Sequence, residues 1–221
     1  MNRTLIIGGT GTVGRQVLSH LSALRVQTRV LTRNPEGARL PPQVEVVRGD
    51  LTLPETLDAC LEGIDTVFLV WVAPPAAVAP AFERIARHAR RIVFLSAPLK
   101  TAHPLFQRPN PARELGLQIE RLIEASGLRW TFLGPGMFAA NAKQWWGAQI
   151  CAGDIVRWPY LAVPTAPIDE RDIAAVAVRV LCEEERLQGE NSWLQDSIDH
   201  SIRKTTRGLG RATTVRILWV S

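Results

Sequence analysis

TLIIGGTGTVGRQVL, residues 4–18, decides how the rest of the chain is read. Leu5, Ile6 and Ile7 form the short apolar run of a buried strand, and Val13, Val17, Leu18 and Leu21 follow at the spacing of one helix face. Between them, Gly9, Gly11 and Gly14 match GxGxxG. Each glycine serves a physical purpose. The first permits a tight turn, the second lets backbone N–H groups approach a pyrophosphate, and the third lets helix and strand pack closely. A diphosphate there would meet a helix N-terminus, where unpaired N–H groups and the helix dipole favour negative charge. The stretch predicts a strand, a glycine turn and a helix suited to a dinucleotide. The alternative is a glycine turn that binds nothing, and the strand and helix patterns on either side argue against it.

The alternation continues downstream. Gln27–Thr32 reads as a second strand closing on Thr32, Arg33, Asn34 and Pro35. An acid about 20 residues beyond the glycine turn would hold a ribose 2′-hydroxyl, whereas a basic residue there accommodates a 2′-phosphate. Arg33 stands at that corner and no acid comes before Glu36, so NADP(H) is expected in preference to NAD(H). A solvated loop arginine is the alternative. Val44–Val47 is a third strand, followed by Gly49, Asp50 and Leu51, with Pro54 opening a helix through Leu61. Thr66–Val72 reads as a fourth, central strand ended by Pro74 and Pro75.

Phe82–Arg90 is helical, and Arg91–Leu95 is a fifth strand running into Ser96. Residues 100–111 form a proline-rich loop, Glu114–Ala125 an amphipathic helix ended by Gly127, and Arg129–Leu133 a strand broken by Gly134, Pro135 and Gly136. Ile168–Val180 passes from a strand end into a helix, with Asp169 or Glu170 near its N-terminus and Asp172 in its first turn complementing the dipole. Beyond Gly189 the pattern weakens, and only Thr213–Val220 reads as a strand. Strands alternating with helices predict an α/β fold with a doubly wound, mostly parallel sheet. Ligands of such sheets lie beyond the carboxyl ends of the strands, which makes Asp50, Trp71 and Ser96 pocket candidates by position. Trp145, Trp146, Trp158 and Tyr160 suit either a flat apolar substrate or the packing of a second lobe.

Composition excludes several classes. With 46% hydrophobic and 21% charged residues the chain reads as an ordinary globular protein rather than a disordered one. No apolar run reaches the roughly 18 residues of a spanning helix. The first strand starts almost at Met1 and leaves no room for a signal peptide, so a cytoplasmic location with no membrane partner is expected. Cys60, Cys151 and Cys182 are far apart and form no CxxC pair, which suggests neither a disulfide framework nor a metal site. The net charge of +5 resides wholly in Arg203, Lys204, Arg207, Arg211 and Arg216, since residues 1–199 are formally neutral. A short basic tail without a groove-sized basic face argues against a nucleic-acid partner.

Seven segments together resemble the NmrA-like, NAD(P)H-binding branch of the atypical short-chain dehydrogenase/reductases, including its quinone-oxidoreductase-like members. They are IGGTGTVG at 7–14, LTRNPE at 31–36, VVRGDL at 46–51, VFLVW at 67–71, IVFLSA at 92–97, GPGMFAAN at 134–141 and PIDERDIAAVAV at 167–178. The resemblance implies a Rossmann-type core at residues 1–133 and a small C-terminal substrate lobe at 134–190 with elements returning to the core. Residues 191–221 form an atypical basic tail that resembles no part of the family. By matching position, Gly8, Thr10, Gly11, Thr12, Val13 and Gly14 would cradle the pyrophosphate and Arg33 the adenosine phosphate. Asp50 and Leu51 would border the adenine, Val70 and Trp71 the ribose and nicotinamide, and Ser96 would sit near the reactive ring. Trp71, Met137, Phe138 and Trp145 would meet the substrate.

The chain departs from the family in two further places. The superfamily's YxxxK pair is absent, since Tyr160 is the only tyrosine and Pro164 stands four residues on. Gly134 occupies a position where many relatives carry arginine. An NADPH-dependent reductase of a small carbonyl, enone or quinone is the first function expected. Ser96, His103 and Tyr160 are its candidate hydrogen-bond donors to a developing oxyanion. Each also has an ordinary structural role available: Ser96 bonding backbone at a strand end, His103 on a loop surface, Tyr160 in lobe packing. The missing pair equally suits a non-catalytic NADP(H) sensor acting through a protein partner, and a biosynthetic isomerase or cyclase is a weaker third reading.

Overall fold

The computed structural model describes residues 3–96, 111–135, 138–152 and 168–182. Six strands lie in one sheet: β1 (Thr4–Ile7), β2 (Thr28–Thr32), β3 (Glu45–Arg48), β4 (Thr66–Leu69), β5 (Arg91–Leu95) and β6 (Arg129–Leu133). Their order is β3-β2-β1-β4-β5-β6 and every pairing is parallel. The order reverses between β1 and β4, and a sheet of this kind opens its ligand crevice at that switch point.

Successive side chains point to opposite faces, and this divides the core into two layers. Leu5, Ile7, Val67, Leu69, Ile92 and Phe94 pack on one face with α2 (Leu57–Leu61), α3 (Val78–His88) and α4 (Pro111–Ala125). Ile6, Val30, Phe68 and Val93 pack on the other with α1 (Thr12–Ala23) and α6 (Glu170–Cys182). A strand covered on both faces needs no polar side, which is why β1 and β4 read as continuous apolar runs. Leu18 and Leu21 of α1 are fully buried, each contributing on the order of 2 kcal/mol.

Two buried arginines tie helix ends to the amino-terminal edge of the sheet. Arg29 donates to Cys60 O at 3.0 Å and Glu62 O at 2.8 Å, and pairs with Glu45 at 2.9 Å. Arg91 donates to Val180 O at 2.7 Å. Both guanidiniums thereby satisfy carbonyls at a helix C-terminus, of α2 and α6, where positive charge also suits the dipole.

Several boundaries differ from the sequence reading. β4 ends at Leu69, not Val72, because its neighbour β1 ends at Ile7 and the chain turns away at Gly8. Trp71 then folds back, its indole N–H donating to Ala73 O at 2.6 Å. Helix α3 starts at Val78, four residues before Phe82, since Pro80 falls in the first turn where its missing N–H has no intrahelical partner to lose. Pro111 opens α4 in the same way, three residues before Glu114. Helix α5 (Asn141–Ala152) forms where periodicity predicts none: it lacks an apolar stripe, and most of its described side chains face solvent. The expected strand at Thr213–Val220 lies outside the described residues.

Candidate dinucleotide site

The glycine turn obeys the expected steric logic with one shift. The positive φ, +85°, falls on Gly8, one residue before the first fingerprint glycine. Gly11 N–H closes the turn on Gly8 O at 3.0 Å. A Cβ on Gly14 would stand 2.2 Å from Gly8 O and 2.7 Å from Gly9 Cα, so α1 presses against the turn's backbone and only glycine fits. Gly9 is likewise confined, 2.9 Å from Val30 Cγ1 by the same construction.

Helix α1 begins at Thr12 with Gly11 as its N-cap; no side chain caps it and its first turn holds no acid. Its first N–H groups therefore keep both their hydrogen-bonding capacity and the positive end of the dipole for an external anion. Thr10, Gly11 and Thr12 are exposed beside that end.

A cleft of about 330 Å³ opens next to the turn, at the carboxyl ends of β1, β2 and β3. Gly8 and Thr10 form one wall, Thr32, Arg33 and Asn34 a second, and Asp50 and Leu51 a third. Glu36, the first acid after β2, is paired with Arg48 at 3.4 Å. Arg48 also donates to Arg33 O at 3.1 Å, which fixes the corner's backbone. The Arg33 side chain is exposed and makes no hydrogen bond among the described residues. Asp50 Oδ1 accepts from Thr52 N at 2.9 Å and from Thr52 Oγ1 at 2.8 Å. The Thr52 backbone N–H, with help from its hydroxyl and the Arg33 charge, holds the Asp50 carboxyl below its ordinary range against the opposing effect of burial.

The structure thus gathers Gly8, Thr10, Arg33, Asp50 and Leu51 around one concavity. Val13 and Gly14 lie buried in the first turn of α1, available through backbone alone. Val70 packs beneath the turn, where a Cβ on Gly8 would meet its Cβ at 2.7 Å. Trp71 packs partly buried against the α2–α4 face, and Val72, Ala73 and Pro74 line the cleft in its place. Reading β4 through to Val72 concealed them. Arg15 also lines the cleft and was not expected there, although it directly follows the fingerprint.

Ser96 sits beyond β5, away from this concavity. Its N–H donates to Leu133 O at 2.8 Å, and its buried Oγ has no hydrogen bond of good geometry among the described residues. It faces α4, where a Cβ on Gly116 would lie 3.6 Å from Oγ. Burial pushes the nearby Glu120 carboxyl up, and the Ser96 hydroxyl and the Glu124 charge act on it in opposite directions. Phe138 pairs in parallel fashion with Ile168, and Ala140 N–H donates to the buried Glu170 carboxylate at 3.0 Å, tying the chain before α5 to α6. Trp145 lies on α5 and is 37% exposed. Met137, His103 and Tyr160 lie outside the described residues. Among the described residues, no helix is long and apolar enough to cross a membrane.

An open helix end behind a glycine turn at the switch point of a parallel sheet defines a Rossmann-type, dinucleotide-binding protein. The chain belongs to the NAD(P)H-binding family, whose sequence model matches residues 8–184, in agreement with the resemblance drawn from its motifs. It is 34% identical over 186 residues to a (4-alkanoyl-5-oxo-2,5-dihydrofuran-3-yl)methyl phosphate reductase of Streptomyces griseus. It is also 34% identical over 184 residues to an NAD(P)H azoreductase of Xenophilus azovorans. Each alignment covers 80% of this chain and 62% of the relative, so the chain spans less than two thirds of their length. Triphenylmethane reductase of Citrobacter sp., solved with NADP(H), superposes with a TM-score of 0.68 at 22% identity, covering 82% of this chain and 66% of that one. An NADPH-dependent quinone oxidoreductase of Escherichia coli, solved with NADPH, gives 0.68 at 21% identity, covering 81% and 65%. These two likenesses speak to fold alone.

Proposed function

We propose that the cleft takes NADP(H) and that the protein is an NADPH-dependent reductase of a small carbonyl, enone or quinone. The observation that carries this reading is convergence: Gly8 and Thr10 of the glycine turn and Arg33 line one concavity, next in the chain to the uncapped N-terminus of α1. The residues present fit the coenzyme, because the cradle admits no side chain at Gly14 and an exposed arginine, Arg33, lines the cleft at the corner after β2, where a basic residue accommodates a 2′-phosphate. The backbone of residues 8–14 would hold the pyrophosphate, Arg33 the 2′-phosphate, and Asp50 and Leu51 the adenosine edge. The chain at Val70–Ala73 would flank the ribose and nicotinamide. When bound, the reduced nicotinamide supplies hydride; the protein orients its ring and excludes water.

Ser96, beyond β5, would lie on the nicotinamide side, its Oγ donating to the substrate once turned out from its buried seat against α4. The segment 134–190, with Phe138 and Trp145, would form the substrate lobe. Reduction as the reaction class is supported by the two relatives at 34% identity, both named as reductases. Preference for the phosphorylated coenzyme is supported by Arg33 and by the engagement of Glu36 with Arg48.

The test is a pair of titrations on wild type and Arg33→Ala, followed by turnover with a panel of quinones, enones and azo compounds. Removing a charge-assisted contact to a phosphate should weaken NADPH binding about tenfold or more. NADH binding should stay within about twofold, since NADH has no 2′-phosphate to lose. Equal loss of both coenzymes would refute the role of Arg33. Tight NADPH binding without turnover would favour the sensor over the reductase.

A further inference from the structure

Arg15 joins the glycine turn on one side of the cleft to the loop that follows β2. Its Nε donates to Thr10 O at 2.9 Å, within the glycine turn. Its Nη1 donates to Arg39 O at 3.1 Å and its Nη2 to Ala38 O at 3.0 Å, midway along the loop between β2 and β3. Three of the fork's five N–H groups are thus committed to backbone carbonyls, which makes the guanidinium a strut between the two segments.

The loop it holds is itself closed. Gly37 N–H donates to Asn34 Oδ1 at 3.2 Å, and Ala38 N–H to Pro35 O at 3.2 Å. Arg33 opens this loop, and Ala38 and Arg39 stand at its middle. Among the described residues, no other hydrogen bond links the glycine turn to residues 33–39.

We propose that Arg15 is a positioning residue for coenzyme selectivity: by pinning Ala38 and Arg39 to Thr10, it fixes the spacing between the turn that receives the pyrophosphate and the Arg33 corner that receives the 2′-phosphate. The inference rests on the nucleotide reading given above. A coenzyme bearing the 2′-phosphate is held at both points, whereas one lacking it is held at the first alone. Loosening the strut therefore penalises NADPH more than NADH.

The experiment measures dissociation constants for NADPH and NADH on wild type, Arg15→Ala, Arg15→Lys, Arg33→Ala and the Arg15→Ala/Arg33→Ala double variant. Both Arg15 variants should lower the preference for NADPH about fivefold or more, because a lysine ammonium keeps the charge but cannot reproduce the fork. The double variant should show the same preference as Arg33→Ala alone, since a strut has nothing to position once Arg33 is gone. Should Arg15→Ala fail to fold, Arg15→Lys carries the comparison. An unchanged preference in the Arg15 variants, full rescue by lysine, or effects of Arg15 and Arg33 that multiply would each overturn the proposal. If wild type binds neither coenzyme, the nucleotide reading itself fails, a result distinct from wild-type binding with an indifferent Arg15.

Discussion

Gly14 shows how much of this site rests on the absence of an atom. A methyl group there would stand 2.2 Å from Gly8 O, a backbone atom held by its own bond from Gly11 N–H and unable to yield by rotation. Gly14→Ala should destabilise the fold by about 1–3 kcal/mol through overpacking, and displace the turn. At Gly11 the corresponding approach to Gly8 O is 3.3 Å, so a shift of a few tenths of an ångström accommodates the methyl. Thermal unfolding of the two alanine variants checks this, with Gly14→Ala losing several degrees and Gly11→Ala markedly less. The close packing at Gly14 was legible in the sequence because sterics ties it to spacing. That the left-handed φ falls on Gly8 was not, since it depends on where β1 ends against Val70. Arg15 was hidden for a similar reason: in sequence, an arginine on an exposed helix position looks like any solvated one, and its partners Ala38 and Arg39 are more than twenty residues away.

Among the elements, the strands were legible as apolar runs, whereas their ends were set by neighbours. β4 stops with β1, so Val72–Pro74 becomes part of the cleft rim rather than of the sheet. Helix α5 was illegible because a helix largely exposed on its described positions carries no apolar period. Helix α6 carries its start signal openly in Asp169, whose Oδ1 accepts from Arg171 N at 2.8 Å as an N-cap does. The Arg171 side chain, followed by its backbone N–H, holds the Asp169 carboxyl down to about 2. A carboxyl depressed in the folded state stabilises it above the ordinary value of 3.8, and that contribution is lost as the pH falls through about 2. In acid unfolding, wild type should lose this component across that window, while Asp169→Asn should lack it and show a flatter profile there. Identical profiles would mean that the cap does not couple to folding.

Across the whole molecule, the two ends of the sheet divide the labour. At the amino-terminal edge, Arg29 and Arg91 are buried against helix C-termini and serve the fold. At the carboxyl ends, a cleft of about 330 Å³ collects the glycine turn, the Arg33 corner and Asp50. The central claim is that this end grips a pyridine dinucleotide and prefers the phosphorylated one. Calorimetric titration of the 221-residue protein with NADPH and with NADH tests it most directly. The account predicts saturable binding of NADPH at one site per chain, about tenfold or more tighter than NADH. Absence of measurable association with either coenzyme by the folded protein would contradict it.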